Sequence, residues 1–455
     1  MPDRAVSRGA RACGAVCVRR AVRAGSARAV AVMAALVALV AAKDARAASG
    51  TALSETSRPA ALANAVSART GDAGSVLLNP AGLADLREPE LVVTGGGGRV
   101  DQWFARQGEA REDRSRWFGS FGVAAATPLP GPAWLRRVRL GIALDLPYAH
   151  ALRVAVPVRL DQPTSPLYDG RPERMSALGA MAIELAEELK VGVGVQLTPS
   201  LDTPTEVTYV AGRDPSVDKS VVVRLDRDLR MEVSPFFGLL ARPARSVSLA
   251  IVWREASVSR ATGTQRTVAG GIVADDPIDF YQMWDPPELV LGAAWAFTRR
   301  WSVSIDLTQH QWSRAKSGFG KDLAQPWRDT MSARMGLEWR ARPWLTLRSG
   351  WAVEPSPVAE QVGATNHLAA STATLALGAG LDLRPLLGLP VLVDAHVRGR
   401  FSAKQSAHKE AALLGDASTD LPGQQIDNLG YPGFYARAHA VQAGLTLTLL
   451  LGGRQ

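Results

Sequence analysis

The chain has 455 residues, 47% of them hydrophobic, and a formal net charge of +9 at pH 7. Residues 1–47 hold nine basic and two acidic residues, so the remainder carries a net charge of +2 and gives no indication of nucleic-acid binding. Both cysteines, Cys13 and Cys17, lie in that N-terminal stretch. The rest of the chain therefore has no disulfide, thiol nucleophile or cysteine metal site.

The N-terminal stretch has the order of an export signal. A basic region precedes the apolar run 29–42, and Ala45-Arg46-Ala47 gives an Ala-x-Ala cleavage pattern. This order predicts a secretory signal peptide over residues 1–47, with an internal methionine as the alternative start. Beyond residue 42 no apolar stretch is long enough for a membrane-spanning helix. We therefore expect an exported protein that is either soluble or an outer-membrane β-barrel.

A turn lies between the signal and the first strand-like segment. Residues 75–86 read Ser-Val-Leu-Leu-Asn-Pro-Ala-Gly-Leu-Ala-Asp-Leu, and Asn79, Pro80 and Gly82 are turn-forming types flanked by leucines. An apolar turn ahead of a barrel suggests a plug in its lumen. An ordinary surface turn is the alternative.

Apolar and polar residues alternate through much of the remaining chain. The pattern is regular over 288–298, 301–308, 331–340 and 391–400. Period-two alternation predicts β-strands with one apolar and one polar face. Alternation alone does not separate a soluble sandwich, with a polar exterior, from a membrane barrel, with a polar lumen.

Connection lengths favour the barrel. About fourteen strands are predicted, near 90–104, 115–127, 137–157, 174–187, 189–212, 219–242, 246–262, 287–298, 301–313, 330–342, 344–354, 371–384, 389–402 and 434–451. Tight turns alternate with longer polar loops, which are expected at about 158–173, 263–286, 314–329, 355–370 and 403–433. Short turns at one end and long loops at the other are typical of bacterial outer-membrane barrels, whereas a Greek-key sandwich lacks this regularity.

Individual residues refine the barrel interpretation. Phe297, Trp301 and Trp339 lie on the apolar face beside tight turns, where an interfacial girdle is expected; core packing in a soluble β-protein is the alternative. Pro147 interrupts the third strand, because proline donates no ladder hydrogen bond. It either kinks the wall to give a side opening or ends the strand at the rim.

Three short strings carry a resemblance to a known family. They are Asn79-Pro80-Ala81-Gly82-Leu83 after Asp72-Ala73-Gly74-Ser75, the segment 347–358, and a strand that begins after Pro286-Pro287 and reaches 308–312. On these residues the chain resembles the FadL/TodX-type outer-membrane transporters, which take up long-chain fatty acids or aromatic hydrocarbons.

The resemblance implies an all-β fold: a monomeric, antiparallel transmembrane barrel of fourteen strands with an N-terminal hatch in the lumen. Domains are expected at 1–47 (signal peptide), 48–89 (hatch) and 90–455 (barrel). Residues Asn79 to Leu83 fall in the hatch, and Pro147 is the candidate for the kinked third strand that gives this family a lateral exit. Two features depart from the family: a short connection near 212–219, which puts an external capture groove in doubt, and a non-aromatic C-terminus.

The expected function is passive uptake of hydrophobic molecules through a pocket in the lumen and a lateral opening. Alternation places several basic residues in the lumen as candidate ligand contacts: Arg334, Arg348, His396 and Arg398, with Arg340 and Arg400. A structural network with Glu338 or Asp394 is the alternative role, since buried charges need partners.

No enzyme motif, metal-ligand spacing or cofactor signature occurs in the sequence, so we expect a non-enzymatic protein without cofactor. Expected partners are hydrophobic small molecules, outer-membrane lipid and lipopolysaccharide. Three alternatives stay open: a structural or secretion-associated barrel with a closed lumen, a soluble exported β-protein, and a barrel esterase. The sequence does not identify the solute.

Overall fold

The computed structural model describes residues 56–148, 175–202, 204–210, 220–225, 228–269, 272–316, 327–414 and 428–452. Nineteen strands are present in this part of the chain: β1 (Glu90–Arg106), β2 (Glu112–Pro128), β3 (Val138–Pro147), β4 (Ser176–Ala186), β5 (Leu189–Asp202), β6 (Thr205–Val210), β7 (Ser220–Leu225), β8 (Asp228–Ala244), β9 (Val247–Arg254), β10 (Ser257–Ala269), β11 (Ile272–Asp285), β12 (Glu288–Trp295), β13 (Trp301–His310), β14 (Thr330–Arg342), β15 (Leu345–Glu354), β16 (Thr372–Asp382), β17 (Val391–Ser402), β18 (Gln405–His408) and β19 (Gly433–Leu450).

Fourteen of these strands form a closed antiparallel barrel, which confirms the predicted fold and strand number. The wall strands are β1 to β5, β8, β9, β12 to β17 and β19. Each pairs with the next, and β19 pairs with β1 from Glu90↔Leu450 to Arg106↔Phe434. This last pairing leaves the wall sheet without a free edge between its first and last strands.

The barrel has two different ends. Tight connections such as residues 187–188 and 343–344 lie at the end that holds the start of β1 and the end of β19, here called the short-turn rim. Long connections lie at the opposite end, the loop rim. The connection between β16 and β17 at the short-turn rim contains a short α-helix, Arg384–Leu387. Gly388, which follows this helix, has a φ of 69°.

Burial along the wall strands is the inverse of that in a soluble protein. In β13 the buried face carries Ser302, Ser304, Asp306 and Thr308. Apolar side chains face outward instead, for example Leu377, which is 61% exposed. A polar interior with an apolar exterior is the arrangement of a barrel whose outer surface contacts lipid.

Aromatic residues mark the edge of this apolar surface. The Trp301 and Trp339 rings stack with centroids 5.2 Å apart at the short-turn rim, and Phe297 lies 5.3 Å from Trp295. Phe297 and Trp339 are exposed. Their position is that of an interfacial girdle, where amphipathic rings meet the lipid head groups.

The prediction of a loop over 263–286 is wrong. Most of that segment belongs to a hairpin of β10 and β11, and β10 also pairs in parallel with β6. Their polar residues lack the two-faced alternation of the wall, because the hairpin projects beyond the lipid-facing belt. The predicted strands 189–212, 219–242 and 246–262 are each divided in two, the last of them between β9 and β10. The connection 211–219 lies outside the described residues.

The hatch segment, residues 56–89, contains two short helices, Ser57–Ala61 and Ser75–Leu78, and the 3₁₀ helix Pro80–Asp85. Residues of this segment are among the most buried in the protein, and they contact β3, β4, β5 and β8 on one side and β15 to β17 on the other. The segment thus lies inside the barrel. The predicted signal peptide and residues 48–55 lie outside the described residues.

No helix in the described part of the chain is long and apolar enough to cross a membrane.

A charge on the lipid-facing surface tests the orientation of the wall. Leu377→Lys, near the middle of β16, is expected to reduce the free energy of unfolding in lipid vesicles by about 2–4 kcal/mol. The control is Leu386→Lys, in the exposed helix at the short-turn rim. Urea titration of both variants measures the difference; equal stability would show that Leu377 does not face lipid.

Candidate functional site in the barrel lumen

The centre of the turn singled out in the sequence, residues 79–84, is buried in the lumen. Asn79 accepts a hydrogen bond from the Ala81 amide at 3.0 Å and donates one to the Ser67 carbonyl at 2.8 Å. Asn79 thereby caps the 3₁₀ helix, and Pro80 occupies the first helical position, where a missing N–H costs nothing. All five predicted hatch residues, Asn79 to Leu83, are buried together.

Two paired glycines in the wall receive this turn. Gly192 on β5 lies opposite Gly238 on β8. A Cβ at Gly192 would overlap the backbone of Pro80 and Ala81, and one at Gly238 would overlap the Asn79 carboxamide. The wall can approach the hatch backbone this closely because these two positions have no side chain.

The same close approach recurs around the barrel. Gly350 on β15 lies against the backbone of Leu62 and Ala63, and its register partner Gly336 lies against the Leu62 side chain. The full set, here called the glycine ring, has one member on each of seven wall strands: Gly141, Gly192, Gly238, Gly292, Gly336, Gly350 and Gly378. The hatch therefore fits the lumen because the wall has glycine at these seven positions, where any larger side chain would overlap it.

A charged cluster anchors the first part of the hatch. Glu338 on β14 accepts contacts from Arg58 at 3.2 Å, Arg69 at 2.8 Å and Arg348 at 3.0 Å. Two of these arginines belong to the hatch and one to the wall. Removing one partner of such a buried cluster leaves uncompensated charge, which typically costs about 3–5 kcal/mol.

Two further carboxylates hold the rest of the segment. Asp306 on β13 accepts hydrogen bonds from the Ser67 amide at 2.9 Å and the Ser67 hydroxyl at 2.7 Å. In the hatch, Asp85 pairs with Lys190 and Arg242 of the wall. Anchors of this kind lie on four separate wall strands, so several interactions must break before the hatch leaves.

Five of the predicted lumen residues, Arg334, Arg348, His396, Arg398 and Arg400, lie inside the barrel but do not form one site, whereas Arg340 is exposed near the short-turn rim. Arg348 pairs with Glu338 and Asp394 beside the hatch. Gly378 of β16 lies opposite both Arg348 of β15 and His396 of β17, so it separates these two residues. Arg334 contacts Glu354 at 3.4 Å, while Arg398 donates to Gln442 at 2.8 Å. In the structure, Arg348 and Arg334 therefore form ion pairs with carboxylates, which is the alternative role considered from the sequence.

Toward the loop rim the lumen becomes aromatic. Trp312 lies 5.9 Å from Trp284 and 5.4 Å from Trp327, and the Trp327 ring meets His367 edge-on at 5.6 Å. These four residues are called the aromatic cluster. They pack against the inward-facing Val100 of β1 and against partly buried apolar residues that include Phe118 and Val358. A cluster of aromatic and apolar side chains thus lies on the loop-rim side of the hatch and its charged anchors.

Hydrogen bonds between loops hold the same region. The Lys409 ammonium donates to the carbonyls of Gly363 at 2.7 Å and Thr365 at 2.6 Å, and burial lowers its pKa to about 8. Burial also lowers the pKa of His367 to about 4, with the Lys409 charge as the second cause. His367 is therefore neutral at pH 7.

The wall changes at Pro147. This residue is the last of β3 and lies opposite Ser120 of β2, and the Tyr148 amide still donates to the Gly119 carbonyl at 2.9 Å. β2 continues toward the loop rim as far as Glu112. Beyond Tyr148 the chain lies outside the described residues. A small pocket lined in part by Leu77, Val92 and Ala143 lies between the hatch and this part of the wall.

No protein-family model matches the chain, and no curated protein is similar to it in sequence. Solved structures are similar in fold. A Pseudomonas aeruginosa FadL homologue matches with a TM-score of 0.60 and 15% identity, over 90% of this chain and all of that chain. The TodX deltaS2S3 mutant, a monoaromatic hydrocarbon channel, matches with a TM-score of 0.53 and 14% identity, over 87% of this chain and 99% of that one.

The chain has the FadL-type barrel fold. The sequence resemblance is thereby confirmed at the level of fold. Of the features that position the hatch in this FadL-type barrel, sequence analysis found the Asn79 turn and missed the glycine ring. A signal for the ring was present, because glycine is unfavourable inside strands and recurs here on the polar face of one strand after another.

Replacing one member of the ring tests hatch docking. Gly350→Ala is expected to displace residues 62–63 and destabilise the hatch by about 1–3 kcal/mol, because it overpacks a filled space. Gly179→Ala on β4 is the matched control, since a Cβ there meets nothing within 4 Å. Hydrogen exchange of residues 56–89 in the refolded barrel measures the effect; equal protection in both variants would contradict tight docking at Gly350.

The pKa of His367 predicts a pH dependence for the aromatic cluster. The folded pKa of about 4 lies below the ordinary value of 6.5, so the opened cluster binds more protons between these values. Stability of the closed cluster should therefore fall as the pH decreases from about 6.5 to about 4. Hydrogen exchange of residues 355–371 should follow that fall in the wild type but not in His367→Phe. The exposed His408→Gln should behave as the wild type.

Proposed function

We propose that the protein is an outer-membrane channel for the passive uptake of hydrophobic molecules. A solute enters at the loop rim, binds beside the aromatic cluster, and leaves sideways through the wall near the end of β3 when the hatch moves. Catalysis and a cofactor have no part in this function. Residues 1–47 direct export, and the barrel acts as a monomer in contact with outer-membrane lipid.

The observation that carries this proposal is the aromatic cluster itself. Trp312 contacts both Trp284 and Trp327 and is almost fully buried in the lumen, on the loop-rim side of the hatch and its ion pairs. Burying apolar area there contributes about 25 cal/mol per Å² removed from water, which is sufficient to concentrate a small hydrocarbon. Aromatic side chains also offer edge and face contacts to an aromatic solute.

Charge pairing favours an uncharged solute over a fatty-acid carboxylate. Arg334 and Arg400 share Glu354, and Arg254 contacts Glu288 at 3.3 Å. Arg58, Arg69 and Arg348 surround Glu338. A fatty-acid head group would have to compete with these resident carboxylates. One structural neighbour, the TodX deltaS2S3 mutant, is a monoaromatic hydrocarbon channel, which agrees with a neutral aromatic solute.

The lateral exit is supported by the local wall. β3 ends its described pairing at Pro147, and the pocket between the hatch and the wall is lined mainly by small or apolar residues. Movement of the Asn79 turn away from Gly192 and Gly238 would enlarge that pocket. We therefore assign Asn79, Pro80, Ala81, Gly82 and Leu83 to the moving hatch and Pro147 to the wall kink.

A structural or secretion-associated barrel with a closed lumen is the second candidate. The network of hatch and wall charges around Glu338, Asp306 and Asp85 favours it, since these contacts oppose hatch movement. The two functions differ in whether an apolar solute binds saturably above the hatch.

Binding to the barrel refolded in detergent separates them. Titration with labelled toluene and labelled hexadecanoate is expected to give saturable binding, tighter for toluene. Phe118→Asn, which places an amide against the aromatic cluster, should weaken toluene binding about tenfold, or about 1.4 kcal/mol. Phe118→Leu keeps an apolar contact and should stay within about twofold of the wild type. Absence of saturable binding would move the assignment to the closed barrel.

Flux across a bilayer tests the hatch. In proteoliposomes, Asn79→Ala removes two buried hydrogen bonds of the turn, and it should change the rate of toluene entry while toluene affinity is unchanged. Equal entry rates in wild type and Asn79→Ala would exclude this turn from the pathway.

A further inference from the structure

A band of cations and aromatic rings crosses the outer surface of the barrel below the loop rim. It lies on β18, β19, β1 and β2, directly above exposed apolar residues such as Phe401 and Val441. The register of β19 with β1 places Arg437 opposite Trp103 and His439 opposite Asp101. The apolar belt therefore ends against a surface of mixed charge and aromatic character.

Cations in this band lie over aromatic faces. The Lys404 ammonium is 4.2 Å from the centre of the Tyr435 ring, and the guanidinium of Arg111 is 5.1 Å from that of Trp103. A third contact joins Arg99 to Trp117 at 5.8 Å. Because of such contacts, long cationic side chains lie along the wall and do not extend into water.

Two of these cations differ from the others in their partners. Arg99 pairs with Asp101 at 2.7 Å, and Arg111 pairs with Asp113. Lys404 contacts the Tyr435 ring, and Arg437 donates to the Ser402 carbonyl at 3.4 Å. Within the described residues neither of the latter two has a carboxylate partner.

Lys404 and Arg437 are also neighbours on the same face. Gln405 of β18 pairs with Ala436 of β19, and Ala436 is buried. The exposed residues that flank this pair are Lys404, which directly precedes β18, and Arg437 of β19. Continuing the register of β18 with β19 by one position sets Lys404 opposite Arg437. Two like charges held so close on an exposed surface favour a shared anion.

We propose that Lys404 and Arg437 form a binding site for the phosphate of a phosphorylated glycolipid in the outer leaflet. The proposal rests on the outer-membrane location proposed above. Ammonium and guanidinium groups form charge-assisted hydrogen bonds to phosphate oxygens, and Arg offers two of them in parallel. Tyr435 and Trp103 supply the ring contacts typical of the head-group level.

The position of the site selects a lipid over a soluble anion. Both side chains point away from the lumen, and Phe401 and Val441 lie below them on the apolar belt. A ligand with acyl chains on that belt and a phosphate at the pair satisfies both surfaces at once. A free phosphate would gain the charge contact alone.

Lipid binding to the full-length barrel in detergent tests the site. Native mass spectrometry with diphosphoryl lipid A and with the same lipid after dephosphorylation should show about tenfold preference for the phosphorylated form, weakening with salt. Lys404→Gln/Arg437→Gln should lose the preference, and Lys404→Arg should keep it. The matched control Arg299→Gln/Arg300→Gln removes two exposed cations at the short-turn rim and should bind as the wild type.

The proposal would be overturned by any of three outcomes. The wild type could bind the two lipids equally, the double variant could keep the preference, or the rim control could lose it to the same extent. Toluene titration of the same variants keeps the two proposals apart. Intact toluene binding without lipid preference would reject the glycolipid site alone. Lipid preference without toluene binding would reject the channel function alone.

Discussion

Closure of the sheet by β19 and β1 is the constraint on which the rest of the structure depends. Lipid offers no hydrogen bonds to backbone N–H and C=O groups, so a wall that spans a bilayer must satisfy them within the sheet. The pairing from Glu90↔Leu450 to Arg106↔Phe434 does this at the seam. Once the sheet closes, every second residue faces lipid and the alternate residues enclose a lumen that must then be filled.

The filling is layered along the barrel axis. Near the short-turn rim, hatch and wall meet through carboxylates and arginines; above them, the aromatic cluster forms an apolar compartment beneath the loops. Each layer needs the other. The charged layer fixes the hatch inside the barrel, and in the proposed function the aromatic layer supplies the surface on which an apolar solute gains free energy by burial.

The wall was predictable because lipid imposes period two on every spanning strand, and fourteen strands follow from that pattern and the connection lengths. β11 and the second half of β10 were missed because they project beyond lipid, where residues such as Asp275 and Asp276 are under no such constraint. Interior contacts were harder still. Arg58 and Glu338 are separated by 280 positions, and nothing local in either stretch identifies the other as its partner. Arg334 and Arg348 could be placed in the lumen, and Glu338 and Asp394 could be weighed as partners, but Glu354 was not identified as the partner of Arg334.

The glycine ring also determines how the membrane stays sealed. Small eight-stranded barrels fill their interior with wall side chains, whereas wider barrels leave an aqueous channel. This barrel has fourteen wall strands, and seven of them carry a glycine where the wall meets the hatch. Its barrier to ions and small hydrophilic toxins consequently resides in residues 56–89 rather than in the wall. In the proposed uptake function, an opening for hydrophobic cargo has to displace enough of that segment to pass the cargo while the remainder still blocks water.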